Sequence, residues 1–308
     1  MRYFLEAGCA LLLILMIRFP QEALSGAEDG LVLWFQTMLP SLFPFMILTG
    51  VLMGRHAALL LNRYVTPLSK KLFCISGEGC YCILTGFLCG YPLGAKMIAT
   101  LVQNRRLSHL EGQYLLRFSN NASPGFLLVY VAQTILGNRI PLRFFLTCIY
   151  GPALLTALLG QWKLRRKMGY KSSADFSHPT NDTDIPDRTV GDAIIDSFEA
   201  MIRLCGYLVL FSVIIKMVTV LLPTVTTLRA VLAGFLEITT GLAALSKLPE
   251  AEMTTALILG ATAFGGLSCI AQTAGMCRDS GLSIADYTIW KLIQGALAFM
   301  AALLFLYL

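Results

Sequence analysis

Thr254 to Met276 reads TTALILGATAFGGLSCIAQTAGM. The stretch has no charged side chain, and its length suits the roughly 20 residues an α-helix needs to cross the hydrocarbon core of a bilayer. Its middle is interrupted by the pair Gly265-Gly266, with Gly260 before it and Ser268, Gln272 and Thr273 after it. The segment therefore predicts a membrane-embedded helix whose backbone is broken partway.

The same pattern recurs outward in both directions. Uncharged or nearly uncharged stretches run over Tyr3–Ile17, Leu31–Met53, Tyr81–Val102, Pro124–Leu136, Phe144–Trp162, Cys205–Leu222, Ala230–Leu245 and Tyr287–Leu308. Glu6 alone interrupts the first, and Arg18-Phe19-Pro20 follows it without a small-residue cleavage site, so it reads as a retained helix. Pro40 and Pro44 interrupt Leu31–Met53, which predicts an interfacial helix leading into a short span. Only 14% of the 308 residues are charged and 56% are hydrophobic, too little charge for the surface of a soluble domain of this size. The fold class is all-α, a polytopic membrane protein with about eight to ten membrane-embedded segments.

Charge places the sides. The densest basic cluster, Trp162-Lys-Leu-Arg-Arg-Lys-Met-Gly-Tyr-Lys171, directly follows an apolar stretch and predicts a cytoplasmic loop. Polar sequence with Pro179 and Pro186 continues to Asp192, so residues 163–192 read as a cytoplasmic linker between an N-terminal membrane half, 1–162, and a C-terminal half, 193–308. Arg63, Lys70, Lys71, Arg105 and Arg106 are scattered and fix no side. The net charge of +6 follows from this sidedness, and no basic stripe interleaved with aromatics points to nucleic acid. The cysteines lie mostly in apolar runs and read as small hydrophobes; His56, His109 and His178 have no partners at ligand spacing, so no metal or other cofactor is expected. No catalytic triad, P-loop or dinucleotide fingerprint appears, which argues against an enzyme.

Sliding the chain on itself by about 175 residues places Leu84 on Leu259, Gly90 on Gly265, Asn104 on Asp279, Leu107-Ser108 on Leu282-Ser283 and Glu111 on Asp286. A slightly different offset also places Leu68-Ser69-Lys70 on Leu245-Ser246-Lys247. The expectation is two repeated halves with broken helices. Gly86, Gly90, Pro92 and Gly94 punctuate the first apolar segment as Gly260, Gly265 and Gly266 punctuate the second. Unwound backbone in a membrane survives only where protein buries it or it lines a wet cavity, so substrate could serve as its partner; close helix packing is the other reading of the same glycines. Gly90-Tyr91-Pro92-Leu93-Gly94 favours a true break.

Two further constellations stand out. Ser119-Asn120-Asn121-Ala122-Ser123-Pro124 is a polar knot between apolar stretches, either a surface turn or part of a site. Glu237 lies in a helix expected over Leu228–Leu245, on its small and polar face with Ala233, Gly234, Thr240, Gly241 and Ala244. An ionisable group inside a membrane helix is costly, so it marks a functional position or a structural ion pair, here with Lys216 or Lys96.

These residues resemble the sporulation integral membrane proteins that carry nucleoside-recognition, or Gate, domains. The carriers are Leu39-Pro-Ser-Leu-Phe-Pro-Phe45, Gly90-Tyr-Pro-Leu-Gly-Ala95, Phe118-Ser-Asn-Asn-Ala-Ser-Pro124, Phe235-Leu-Glu-Ile-Thr-Thr-Gly241 and Gly265-Gly-Leu-Ser268 with Gln272. The resemblance implies two Gate-type halves, distant similarity to concentrative nucleoside transporters, and a role in endospore formation, where members are linked to moving dipicolinate across a forespore membrane. It implies a transporter of a small polar or anionic solute, with a nucleoside carrier or a non-transporting assembly or gating subunit as alternatives. By likeness to nucleoside carriers, Glu237, Thr239 and Thr240 would lie on one side of a substrate site and Asn120, Asn121 and Ser123 on the other. Gly90, Tyr91, Pro92, Gly94, Gly265, Ser268 and Gln272 complete the expected site. Lys96, just past the first break, would favour an anion. The expected partners are the lipid bilayer and a small-molecule solute, with a homo-oligomer or other sporulation membrane proteins as the protein partners the resemblance allows.

Overall fold

The computed structural model describes residues 2–52, 75–168, 189–222 and 226–307. The Leu68-Ser69-Lys70 arm of the repeat, His56, His178, Arg63, Lys70, Lys71 and residues 169–188 of the linker lie outside them. Every regular element among the described residues is helical, and no strand occurs there. The protein is an all-α polytopic membrane protein. Among the described residues five helices are long and apolar enough to cross a bilayer: Pro20–Leu52, Leu142–Gln161, Val190–Leu221, Glu252–Met276 and Ile284–Tyr307. Leu93–Gln103, Phe126–Ile135 and Thr226–Leu236 are shorter apolar helices.

Helix α1, Arg2–Arg18, leads into α2, Pro20–Leu33, a π-helical turn at Trp34–Met38, and α3, Leu39–Leu52. The prolines do not interrupt this rod, contrary to the sequence expectation. A proline clashes with the carbonyl four residues earlier, and the wider winding of a π turn immediately before Pro40 gives that carbonyl room. Ser41 Oγ donates to the Thr37 carbonyl at 2.6 Å, occupying one acceptor beside this disturbed register.

The next pair is a hairpin of α4, Gly77–Leu88, and α5, Leu93–Gln103. A Cβ on Gly94 would come within 2.8 Å of the Gly86 Cα, so the two helices pack nearly backbone to backbone. The hairpin's outer ends are tied by Arg106 and Glu78 at 3.6 Å. At 12 residues α4 is about 18 Å long, too short to cross the roughly 30 Å hydrocarbon core of a bilayer by itself.

Helix α6, His109–Ser119, is followed by the unwound knot and a π-helical segment, Phe126–Ile135; α7 is Leu142–Met168 and α8 is Val190–Leu221. The linker is shorter than its sequence limits, because α7 continues through Met168 and α8 starts at Val190, where Thr189 and Asp192 form a capping box. Along α2, Gly26 and Gly30 lie against the backbone of Val213 and Val209 on α8, the close approach that small residues permit between membrane helices.

The last elements are α9, Thr226–Leu236; α10, Ile238–Leu245; α11, Glu252–Phe264; α12, Gly266–Met276; and α13, Ile284–Tyr307. The single helix expected over Leu228–Leu245 is in fact two, parted at Glu237. Helix α11 runs antiparallel to α13, with Gly260 against Phe299 and Gly295, and Gly295 against Phe264. The chain break at Gly265 therefore faces the middle of the 24-residue α13, one of the helices long enough to cross a bilayer.

Glycine roles separate cleanly. Gly90, Gly265 and Gly266 have φ of +74°, +88° and +79°, the left-handed region a Cβ disfavours, and mark real breaks. Gly86, Gly94 and Gly260 lie inside helices and serve close packing.

Candidate functional site

Four interruptions of helical backbone meet in the interior. The hairpin tip at Gly90-Tyr91 is joined to the knot by a hydrogen bond from the Tyr91 N–H to the Asn121 carbonyl, 2.9 Å. Gly90 packs so tightly there that a Cβ would lie 2.6 Å from the Ser123 nitrogen. From the same tip, Tyr91 reaches the second break, where its Oη would lie 3.3 Å from a Cβ on Gly265. The neighbouring Gly266 in turn rests on the third, with a Cβ placed 3.1 Å from the Ile238 nitrogen and 3.3 Å from the Glu237 Cα.

Each break exposes backbone groups that lipid cannot satisfy, and side chains supply partners. Glu237, 1% exposed, is the N-cap of α10, with an extended backbone that parts it from α9. Its Oε2 accepts from the Thr240 N–H at 2.6 Å and the Thr240 hydroxyl at 2.5 Å. This capping role could not follow from a continuous helix. Its expected lysine partners are engaged elsewhere: Lys216 faces Asp29 at 3.5 Å, and Lys96 lies 4.0 Å from Glu199 on an exposed face. Lys96 is thus not part of the interior.

The knot is buried, not a surface turn. Asn120, 0% exposed, donates from Nδ2 to Thr273 Oγ1 at 2.9 Å and Tyr287 Oη at 3.0 Å, tying the knot to α12 and α13. Asn121 donates from Nδ2 to the Phe118 carbonyl at 2.6 Å, and its Oδ1 accepts from Lys291 at 3.1 Å. Just beyond the knot, Tyr130 donates to the Thr239 carbonyl at 2.7 Å, so the asparagine and glutamate sides share one interior. Among the described residues the buried Asn120 Oδ1 has no hydrogen-bond partner, and the buried Tyr91 Oη has only the Cys269 thiol.

Most of the expected site residues come together in this junction: Gly90, Tyr91, Asn120, Asn121, Ser123, Glu237, Thr239, Thr240 and Gly265. Pro92 occupies the N-cap position of α5, and Gly94 packs the hairpin. Gln272 and Ser268 are buried one turn apart on α12 and bond each other, Nε2 to Oγ at 3.3 Å. Thr273, noted in the sequence beside Gln272, joins the junction through Asn120, whereas sequence reasoning missed Tyr130, Tyr287, Lys291 and Gln294. Lys291 was the legible one, since a lysine within an apolar run is an expensive residue.

The two segments matched by the sequence offset share an order of elements and a cap. In each half a broken pair, α4–α5 or α11–α12, is followed by a serine that caps the next helix: Ser108 accepts from the Glu111 N–H, and Ser283 from the Asp286 N–H. The matching acids diverge. Glu111 accepts from the Ser76 N–H and hydroxyl in its own half, whereas Asp286 accepts from Gln113 and bidentately from Arg117, at 2.6 and 2.9 Å, across the halves.

The chain is 26% identical over 316 aligned residues to the sporulation integral membrane protein YlbJ of Bacillus subtilis (strain 168), an alignment covering 92% of this chain and 77% of that protein. No family model matches the chain, and no solved structure matches it.

Proposed function

We propose that this protein is a sporulation membrane transporter for a small polar or anionic organic solute, with dipicolinate as the first candidate. The observation that carries the reading is the meeting of four backbone breaks around buried polar side chains beside the middle of α13. Secondary transporters place solute where discontinuous helices meet, because helix ends and freed backbone groups there can bind it without help from lipid. A protein that served only as a scaffold would have no need to desolvate Asn120, Asn121, Glu237 and Lys291 in one place. Similarity over most of the chain to a sporulation integral membrane protein supports the biological setting. Under this reading the chain is two Gate-type halves, and Gly90, Tyr91, Asn120, Asn121, Ser123, Glu237, Thr239, Thr240 and Gly265 surround the solute path. It carries out no chemical conversion.

The test is uptake by the purified protein in liposomes, with dipicolinate and uridine compared against empty liposomes. Dipicolinate uptake is the expected result. Uptake of uridine alone would move the assignment to a nucleoside carrier, and uptake of neither in well-folded protein would overturn the choice of solute class.

Orientation has its own test. With the basic cluster at 163–171 holding its end of the linker in the cytoplasm, a single cysteine at Ala174 in a cysteine-free background should react with an impermeant maleimide only from that side. Labelling from the opposite side of intact cells reverses the topology.

A further inference from the structure

Lys291 lies seven residues into the membrane span α13, is 2% exposed, and has no carboxylate partner among the described residues. Its ammonium is held by two amide oxygens, Asn121 Oδ1 and Gln294 Oε1, each at 3.1 Å. Both amides are fixed from behind with their oxygens turned toward it. Asn121 Nδ2 is committed to the Phe118 carbonyl, and Gln294 Nε2 donates to the Arg117 carbonyl at 2.8 Å and Thr156 Oγ1 at 3.2 Å. Neutral hard oxygens, oriented in advance at a break in the backbone, are the ligands an alkali cation takes. Here an ammonium fixed to α13 takes that place.

We propose that Lys291 is the site's own tethered cation: it holds the unwound knot to α13 in place of an alkali ion, so that solute movement needs no sodium. The inference rests on the transporter reading for its second half only. Through Asn121 the ammonium fixes the carbonyl that receives the Tyr91 N–H, and so sets the position of the hairpin tip. Removing the charge leaves two buried amide oxygens without a donor and frees the knot to shift. Lys291 is in this sense a positioning residue.

The experiment has a stability arm and a transport arm. In detergent, the Lys291→Ala protein should lose about 5 °C of thermal midpoint, and n-propylammonium chloride should restore most of it. Neutral n-butanol at the same concentration should not. Lys291→Met fills the space without charge and should stay low in either additive. Recovery with butanol as good as with propylammonium would make Lys291 a mere filler and overturn the proposal, as would a Lys291→Met midpoint equal to the wild type. The wild-type protein provides the second arm and needs no variant to fold. Its midpoint, and its uptake of dipicolinate into liposomes, should be the same in sodium, potassium and choline chloride at equal ionic strength. A rise in the wild-type midpoint specific to sodium would overturn the proposal even if no solute were moved. Absence of uptake with a sodium-indifferent midpoint and a propylammonium-rescued alanine variant would instead leave the tethered cation standing and count against the transporter reading.

Discussion

Gly90→Ala should destabilise the protein severely, whereas Gly265→Ala should leave it folded. Both glycines have positive φ, +74° and +88°, and a Cβ in that region costs about 1–2 kcal/mol at either. The surroundings separate them. A Cβ at position 90 would meet the Ser123 nitrogen at 2.6 Å and its Cα and Cβ at 2.9 Å, a wall of backbone that cannot swing aside. That wall is itself pinned, because the neighbouring Asn121 carbonyl accepts from Tyr91. Overpacking of this kind adds about 1–3 kcal/mol, so the total for Gly90→Ala is roughly 2–5 kcal/mol. At position 265 the nearest atoms are the Tyr91 hydroxyl at 3.3 Å and the Cys269 Cβ at 3.5 Å, where a side-chain tip can yield. The measurements are thermal midpoint in detergent and uptake in liposomes. Gly90→Ala should lose about 6 °C or more, or fail to accumulate; Gly265→Ala should lose about half as much and reduce uptake by displacing Tyr91. Equal midpoints for the two variants would show that the crowding at Gly90 relaxes at no cost.

The sequence presents those two glycines as equivalents, one repeat apart, and there its reach ends. Periodic apolar stretches announce the membrane and the α class, since every span must satisfy its own backbone. Adjacent glycines, and proline beside glycine, announce breaks, since only special residues tolerate the geometry. Whether a glycine breaks a helix or packs one depends on what lies opposite, and Gly86, Gly94 and Gly260 became packing residues only when Ser119, Gly86 itself and Phe299 were seen across from them. Glu237 was legible as an unusual residue. Its role was not, because no N-cap is expected in the middle of an apolar run, and the two threonines after it read equally well as helix surface. Pro40 and Pro44 misled in the other direction: the turn before Pro40 is π-helical and makes room for its ring, while Pro44 is carried inside α3 without ending it. Lys291 and Asn121 are 170 residues apart, a pairing that long-range packing alone creates.

Glu237→Gln should accumulate as folded protein and lose at least about tenfold in uptake, some 1.4 kcal/mol of lost stabilisation along the transport path. The carboxylate lies in a membrane interior without a cation beside it among the described residues, held by the Thr240 N–H and hydroxyl and by further donors from Thr239. A carboxylate presents acceptors on both oxygens. A glutamine turns one of them into a donor facing these N–H and O–H groups, so part of the cap is lost, at about 1–3 kcal/mol, or a midpoint fall of roughly 2–6 °C. That fall alone does not show that Glu237 belongs to the solute path, so Thr240→Val is the companion variant. It removes the hydroxyl donor while keeping the backbone one, and should cost a similar midpoint without touching the charge. If Glu237 only caps α10, the two variants lose uptake in proportion to their stability. If the charge faces the path where Gly266 crosses it, Glu237→Gln loses far more uptake than Thr240→Val at a comparable midpoint. Neutralising Lys216 or Lys96 should rescue neither, since those lysines pair with Asp29 and Glu199. Full uptake by a well-folded Glu237→Gln protein would confine Glu237 to capping and leave Asn120, whose buried oxygen has no partner among the described residues, as the polar group for a solute to meet.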